Sequence, residues 1–108
     1  MDFMIDRLTS ARSLAALGHE ARLDIFRLLV KAGHGGMTVG QIGDYLNLAA
    51  STLAHHLRAL VDAGLVAQSK NGREGINTAN YNKMTELGSF LTDECCTGVE
   101  IKLAETAA

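Results

Sequence analysis

A change of periodicity near residue 64 constrains the fold of this chain more than any other feature of its sequence. Before that point, apolar residues recur with the spacing of amphipathic helices. After it, two strand-like runs at residues 65–69 and 75–79 flank the segment Lys70-Asn71-Gly72-Arg73-Glu74. Asn-Gly between two such runs is typical of a β-hairpin. The sequence therefore predicts a mainly α chain with one small hairpin.

Five helices are expected around that hairpin, at residues 3–16, 20–32, 39–46, 51–63 and 81–96. Gly33 ends the second helix, Thr38 caps the third, Gly64 caps the end of the fourth, and Asn80 caps the last. The side chains expected on the apolar stripes are Phe3, Met4, Leu8, Leu14 and Leu17 in the first helix, Leu23, Phe26 and Val30 in the second, Val39, Ile42, Tyr45 and Leu46 in the third, Leu53, Leu57, Leu60 and Val61 in the fourth, and Met84, Leu87, Leu91 and Cys95 in the last.

The length of 108 residues indicates one domain, expected at residues 1–98, with a frayed tail at residues 99–108. No apolar run is long enough to cross a bilayer, and the N-terminus does not resemble a signal peptide. A cytoplasmic location with reduced thiols is therefore expected. No glycine-rich phosphate loop, nucleophile with its base, or open metal triad is apparent, so neither an enzyme nor an organic cofactor is expected.

Two short helices joined by a tight turn and followed at once by a hairpin describe a winged helix-turn-helix of order ααααββα. In that fold the helix at residues 51–63 enters the major groove of DNA with its N-terminal residues nearest the base edges. The formal net charge is −2, with −4 over residues 84–108 and +1 over residues 51–75. Binding to DNA must therefore depend on a few placed cations.

The candidate DNA-binding residues are those that remain once the apolar stripe of this helix is set aside, together with the cations of the hairpin and with Gln41 of the preceding helix, which can donate to the DNA backbone. Hydroxyl groups in its first turn can reach bases or phosphates, and a guanidinium on the wing can reach a phosphate or the minor groove. An exposed cation is also often merely solvated, and one histidine of an adjacent pair often packs inside. The candidates are Gln41, Ser51, Thr52, His55, His56, Arg58, Lys70 and Arg73.

Two stretches, residues 17–29 (LGHEARLDIFRLL) and 51–66 (STLAHHLRALVDAGLV), resemble the ArsR/SmtB family of small repressors. The resemblance runs from about residue 14 to residue 96. It implies a homodimer built on the first and last helices, which binds an inverted repeat near the promoter of a resistance operon. It also implies release of the DNA when a metal, metalloid or other signal binds. One departure is that Ala49 and Ala50 occupy turn positions where relatives often have Ser and Pro, which weakens the helix cap.

Cys95 and Cys96 are the only cysteines of the chain. Their thiolates would suit a soft ion such as trivalent arsenic or antimony. Two alternatives are open: Cys95 simply continues the apolar stripe, or the pair closes a strained vicinal disulfide. The resemblance favours metalloid sensing, because some arsenical repressors carry thiols near the end of the last helix. No histidine follows His56 and residues 39–46 contain no cysteine, which argues against the family's zinc and Cys-x-Cys sites.

Two thiolates per chain are one fewer than inorganic arsenite usually takes. The partner subunit or an external thiol could supply a third, and otherwise a monomethylated trivalent arsenical, which needs two sulfurs, fits better. A redox or reactive-sulfur sensor that uses the same dithiol is an alternative function. A winged-helix protein-interaction module is an alternative of another class, and salt-dependent binding to duplex DNA would distinguish it.

Overall fold

The computed structural model describes residues 6–101, so Phe3, Met4 and residues 102–108 of the expected tail lie outside the described residues. The elements, in chain order, are α1 (Arg7–Leu17), α2 (Glu20–Ala32), α3 (Val39–Leu46), α4 (Ala50–Asp62), β1 (Val66–Asn71), β2 (Glu74–Ala79) and α5 (Tyr81–Thr92). The order of elements is four helices, a two-stranded sheet and a last helix. This order confirms the predicted winged helix-turn-helix fold. None of the helices within residues 6–101 has the length and apolar character needed to cross a membrane.

The core lies between α2, α3, α4 and the base of the hairpin. Its fully buried side chains are Ile25, Leu29, Ile42, Leu53, Leu60 and Leu65. The predicted stripe of α4 is confirmed for Leu53, Leu57 and Leu60, but the predicted stripe of α2 is wrong for Leu23, which is 42% exposed. Because α2 contacts α1, α3, α4 and β2, it buries the broader face that carries Ile25, Phe26, Leu28 and Leu29.

In α3 the predicted inward positions Val39 and Tyr45 are exposed, and Ile42 alone is fully buried. Because the helix has only eight residues, about two turns, it buries just one side chain fully between α2 and α4. In α5 the predicted inward residue Leu91 is exposed as well, whereas Leu87 is buried.

The first helix turns its small side chains inwards. Its buried residues are Ser10, Ser13 and Ala16, while Leu8 and Leu14 are exposed. The Ser13 hydroxyl donates a 3.3 Å hydrogen bond to the backbone oxygen of Ala63, and the buried Ser10 hydroxyl has no hydrogen-bond partner among residues 6–101. A carboxylate oxygen of Asp6 caps the helix by accepting from the Thr9 amide at 2.7 Å. This capping bond lowers the pKa of the Asp6 carboxyl.

The hairpin is longer than the runs at residues 65–69 and 75–79 predicted. Antiparallel pairing extends from Val66 opposite Ala79 to Asn71 opposite Glu74, which leaves Gly72 and Arg73 as a two-residue loop. Gly72 has a φ of +68°, and a positive φ at the first loop position alone is the pattern of a type II′ turn. Such a turn matches the twist of the strands and lets the pairing run to the tip.

The last helix ends at Thr92, four residues before the predicted end at Cys96. The next residues, Asp93 and Glu94, are acidic, and negative charge at a helix C-terminus opposes the helix dipole. The chain continues through turns in which the Cys95 amide donates to the Thr92 oxygen at 2.9 Å. The prediction that the cysteine pair belongs to the helix is therefore wrong.

Candidate nucleic-acid interface and thiol pair

A capping box fixes the start of α3. The Thr38 hydroxyl oxygen accepts from the Gln41 amide at 3.1 Å, and the Gln41 side-chain oxygen accepts from the Thr38 amide at 2.9 Å. Gln41 is exposed, and its side-chain NH₂ group is the part left to donate to a phosphate. Asn47, with a left-handed φ of 56°, ends α3 and makes the tight turn towards α4.

The N-terminus of α4 carries no side-chain cap. Ala49 occupies the N-cap position, and no side-chain hydrogen bond reaches the first-turn amides. The weakened cap expected from Ala49 is therefore confirmed. Ser51 and Thr52 are exposed in this first turn. Their hydroxyls and the free amides form a cluster of donors suited to a phosphate or a base edge.

The outer face of α4 exposes Ser51, Thr52, His55 and Arg58. His56 is the exception among the candidates on this helix, because it is only 7% exposed. Its Nδ1 accepts a 3.3 Å hydrogen bond from Nε of Arg22, on α2. Burial lowers the pKa of His56, and its basic neighbours His19, Arg22 and His55 lower it further. His56 is therefore a buried packing residue bonded to Arg22, and the prediction that it faces DNA is wrong.

The wing lies beside α4. Lys70 and Arg73 are both exposed, and Arg73 occupies the two-residue loop at the tip. Between α4 and β1 there is a hollow whose lining includes Val39 of α3 and the side chains Ala54, Arg58, Asp62 and Gln68. The wing thus packs against one flank of α4 through β1, and its exposed cations lie farther along the hairpin.

Asn77 is a residue that the sequence analysis missed. It is 1% exposed, its side-chain oxygen accepts from Nε2 of Gln68 at 2.8 Å, and its Nδ2 donates to the backbone oxygen of Met37 at 3.2 Å. The backbones of Asn77 and Met37 also exchange two hydrogen bonds. Asn77 therefore joins the wing to the loop before α3. The one sequence feature that could have indicated its role is a polar amide side chain between Ile76 and Thr78, at an inward position of β2.

Arg22 is the second missed residue. It is half-buried in α2, and its sequence neighbours offer no sign that it reaches across to α4. Arg22 and its hydrogen-bond partner His56 are 34 positions apart in the sequence. Only the packing of α2 against α4 reveals the pair.

Cys95 and Cys96 lie exposed after the end of α5, with their sulfur atoms 2.9 Å apart. Their exposure removes the alternative in which Cys95 packs in the core. The hydrogen bond between the two thiols raises the pKa of Cys95. Because metal–sulfur bonds are about 2.3 Å long, both sulfurs can reach one soft centre. Within residues 6–101, no three His, Cys, Asp or Glu side chains are grouped to hold a metal ion.

The first and last helices carry much of the exposed apolar surface. Leu8 and Leu14 on α1 and Phe90 and Leu91 on α5 are exposed, as are Val99 and Ile101 beyond α5. These are the two helices through which the sequence predicts that the homodimer forms.

Comparison with known proteins supports this description. Residues 17–69 match the model of a helix-turn-helix domain. An uncharacterized HTH-type transcriptional regulator, YceK of Bacillus subtilis (strain 168), is 35% identical over 63 residues, which cover 58% of this chain. The match spans 62% of that regulator's own length, which is less than two thirds of it.

Solved structures share the fold. An ArsR-like transcriptional regulator from Rhodococcus sp. RHA1 is 28% identical with a TM-score of 0.71, over 80% of this chain and 78% of that one. The homodimeric winged helix-turn-helix DNA-binding domain of Mb0332 from Mycobacterium bovis, described as a possible ArsR-family regulator, is 24% identical with a TM-score of 0.63, over 94% and 99% of the two chains. This chain therefore contains a helix-turn-helix domain within a winged-helix fold of the kind found in ArsR-like transcriptional regulators.

Proposed function

We propose that this chain is a homodimeric transcriptional repressor of the ArsR type, which binds operator DNA and is released by a trivalent thiophilic metalloid at Cys95 and Cys96. The observation that carries the proposal is the exposure of donors on the outer face of α4 together with cations on the hairpin that packs against this helix. The exposed groups are the first-turn hydroxyls and free amides of α4 and the cations Arg58, Lys70 and Arg73.

The chemistry of this surface fits duplex DNA. Donors in the first turn of α4 suit base edges, and cations on the wing suit phosphates. The formal net charge is only −2, so a few well-placed cations can outweigh the general repulsion from DNA. The transcriptional regulators among the similar proteins support the same assignment.

Dimerisation is supported by the exposed apolar side chains of α1 and α5. Leu8 is 60% exposed and Leu91 is 62% exposed, in two helices whose other faces pack on their own chain. Burial of such side chains against a second copy is favourable, at roughly 25 cal/mol per Å². The Mycobacterium bovis domain, which shares the fold, is described as homodimeric. A two-fold dimer presents two copies of α4 to successive turns of a partly palindromic operator, about 34 Å apart.

The inducer site is the thiol pair. A monomethylated arsenous acid, CH₃As(OH)₂, would react with the thiols of Cys95 and Cys96 to form two As–S bonds. Two As–O bonds break, and each hydroxide leaves as water with one thiol proton, so arsenic stays trivalent. The hydrogen bond with Cys96 raises the pKa of Cys95, so the Cys95 proton is available to leave with hydroxide in this exchange. The pair lies directly after α5, so the bound ligand can act on the dimer helices.

The test measures binding of the purified chain to a fluorescein-labelled duplex, selected by the chain itself from a randomised library, as the salt concentration is raised. We expect the logarithm of affinity to fall linearly with the logarithm of salt concentration. Arg73→Ala should weaken binding to all duplexes and reduce that slope by about one. Ser51→Ala should instead change the preferred bases. A chain that binds no duplex would favour the protein-interaction module.

The same exposed dithiol supports a second candidate, a redox sensor. With a peroxide as oxidant, the two thiols would lose two electrons and two protons to form a vicinal disulfide, and hydrogen peroxide would become two waters. Loss of DNA affinity after peroxide treatment, without any metalloid, would favour this candidate. Loss of DNA affinity with a methylated arsenical under reducing conditions would favour the metalloid-responsive repressor.

A further inference from the structure

The recognition helix α4 has an arginine beside each of two flanks, and only one of these flanks faces the wing. On the wing side, Arg58 shares a hollow with Gln68 of β1. On another side, the buried His56 faces the N-terminal turn of α2, where it meets Arg22 and His19. A helix that lies in the major groove is bordered by a phosphate backbone on each side. Two flanks with cations can therefore meet two backbones.

The cluster on the second flank consists of His19, Arg22, His55 and His56. The ring centres of His19 and His56 are 4.7 Å apart, and those of His55 and His56 are 5.6 Å apart. His55 belongs to the exposed face of α4, so the cluster runs from that face to α2 without interruption. The neighbours that act on the charge of His56 are all basic. A cluster of basic side chains around one arginine suits an anion such as a phosphate.

The hydrogen bond from Arg22 to His56 orients the guanidinium. The Arg22 Nε–H is directed at Nδ1 of His56, which leaves four N–H groups on the two terminal nitrogens of Arg22. A guanidinium held in this way presents a planar fork that matches a phosphate. Nδ1 of His19 accepts from the Ala21 amide at 3.2 Å, so its proton lies on Nε2 and can serve as a further donor.

We propose that Arg22, held in place by the buried His56, binds a phosphate of the DNA strand on the side of α4 away from the wing. This inference rests on the proposed function, since it concerns how the same surface holds DNA. His56 is a positioning residue in this arrangement and does not touch the DNA. The acidic neighbour Asp24 does not compete, because it lines a groove against α3 and α5 together with Arg27.

The test compares the salt dependence of binding to the selected duplex for the wild type, Arg22→Ala and Arg27→Ala. Arg27 is an exposed arginine of the same helix and is the matched control. We expect Arg22→Ala to reduce the salt slope by about one and to weaken binding to every sequence alike, whereas Arg27→Ala leaves the slope unchanged. Equal slopes for Arg22→Ala and wild type would overturn the inference while leaving the proposed function intact. A wild type that binds no duplex would overturn both.

Positioning by His56 is tested with two variants that differ in one acceptor. The amide oxygen of His56→Asn can take the place of Nδ1, and His56→Leu has no acceptor. We expect His56→Asn to keep the wild-type salt slope and His56→Leu to show a slope smaller by about one. Circular dichroism checks the helix content of both variants. A slope for His56→Leu equal to that of the wild type would remove the positioning role.

A measurement on the wild type alone covers the case in which a variant does not fold. Each phosphate of the duplex is replaced in turn by an uncharged methylphosphonate. Affinity should fall for positions on both sides of the groove that α4 occupies. Loss confined to the side of the wing would contradict the inference.

Discussion

Nδ2 of Asn77 donates a hydrogen bond of 3.2 Å to the backbone oxygen of Met37, and this bond holds the wing against the loop that leads into α3. The same amide accepts from Gln68 through its oxygen at 2.8 Å. A single buried side chain therefore ties both strands of the wing to the helix-turn-helix. The position of the wing relative to α4 depends on it.

Replacement of Asn77 should loosen this connection. Asn77→Ala removes the side-chain hydrogen bonds to Gln68 and to the Met37 oxygen and keeps the backbone bonds to Met37, which costs about 1–3 kcal/mol in the free energy of unfolding. Urea denaturation measures the loss. Asn82→Ala, at an exposed position in α5, is the control and should stay within about 0.5 kcal/mol of the wild type. A similar stability for both variants would show that the Asn77 bonds are dispensable.

Gly36 approaches the wing closely from the same loop. It has a φ of +68°, and a Cβ atom at this position would lie 2.5 Å from the backbone oxygen of Asn77. Gly36→Ala therefore combines left-handed backbone strain with a clash, and we expect a loss of at least about 2 kcal/mol in the free energy of unfolding. Gly35→Ala, with no atom within 4 Å and no positive φ, should lose much less. Equal losses would contradict this explanation.

Leu91 tests the proposed dimer. It is 62% exposed on α5, so Leu91→Glu should leave the folded chain intact but place a charge in the apolar contact between subunits. Analytical ultracentrifugation should show monomers that bind the selected duplex weakly. Ser89→Glu, an exposed position of the same helix, is the control and should remain dimeric. A dimeric Leu91→Glu would remove this part of α5 from the interface.

His56 links stability to pH. Burial and its basic neighbours, His19, Arg22 and His55, hold the pKa of His56 below the ordinary value of 6.5, so the unfolded chain takes up a proton more readily than the folded one. The stabilisation is present above about pH 6.5 and is lost as the pH falls from there towards the pKa of the folded state. We expect the Tm of the wild type to drop more between about pH 7.5 and about pH 5.5 than that of His56→Asn. Parallel drops would show that His56 does not contribute.

The thiol pair should carry the response to metalloid. Saturation with a monomethylated trivalent arsenical should weaken DNA binding by the wild type about 100-fold, which corresponds to about 2.7 kcal/mol of coupling. Cys95→Ser and Cys96→Ser should each fold and bind DNA, because both positions are exposed, yet each should lose the response. Fluorescence anisotropy measures the release. A full response from the double Cys→Ser chain would show that the ligand binds elsewhere.

The local signals of the sequence predict helix bounds better than they predict helix faces. The bounds of α2 and α3 match the prediction because Gly33 and the Thr38–Gln41 capping box act on neighbouring residues. Burial of a side chain depends instead on all the elements around it. The helical spacing predicts that Leu23 is buried because it assumes that one face of α2 packs on the core. In the structure α2 contacts other elements on several sides, and Leu23 is exposed.

The same limit applies to the candidate interface. Exposure of Ser51, His55 and Arg58 could be predicted by setting aside the apolar stripe of one helix. The burial of His56 could not, because it follows from contact with Arg22 in another helix. The early end of α5 was missed because Leu91 and Cys95 continue a helical spacing, although both are exposed among residues 6–101.

The small inward face of α1 has a consequence for how the protein reaches its folded state. Ser10, Ser13 and Ala16 bury little apolar surface, and the Ser10 hydroxyl has no partner in the part of the chain that the structure describes, so this helix gains little from its own chain. Leu8 and Leu14 would gain their burial only against a second copy in the proposed dimer. Folding of α1 and association of two subunits would then be one equilibrium, in which protein concentration itself sets the fraction of ordered first helices.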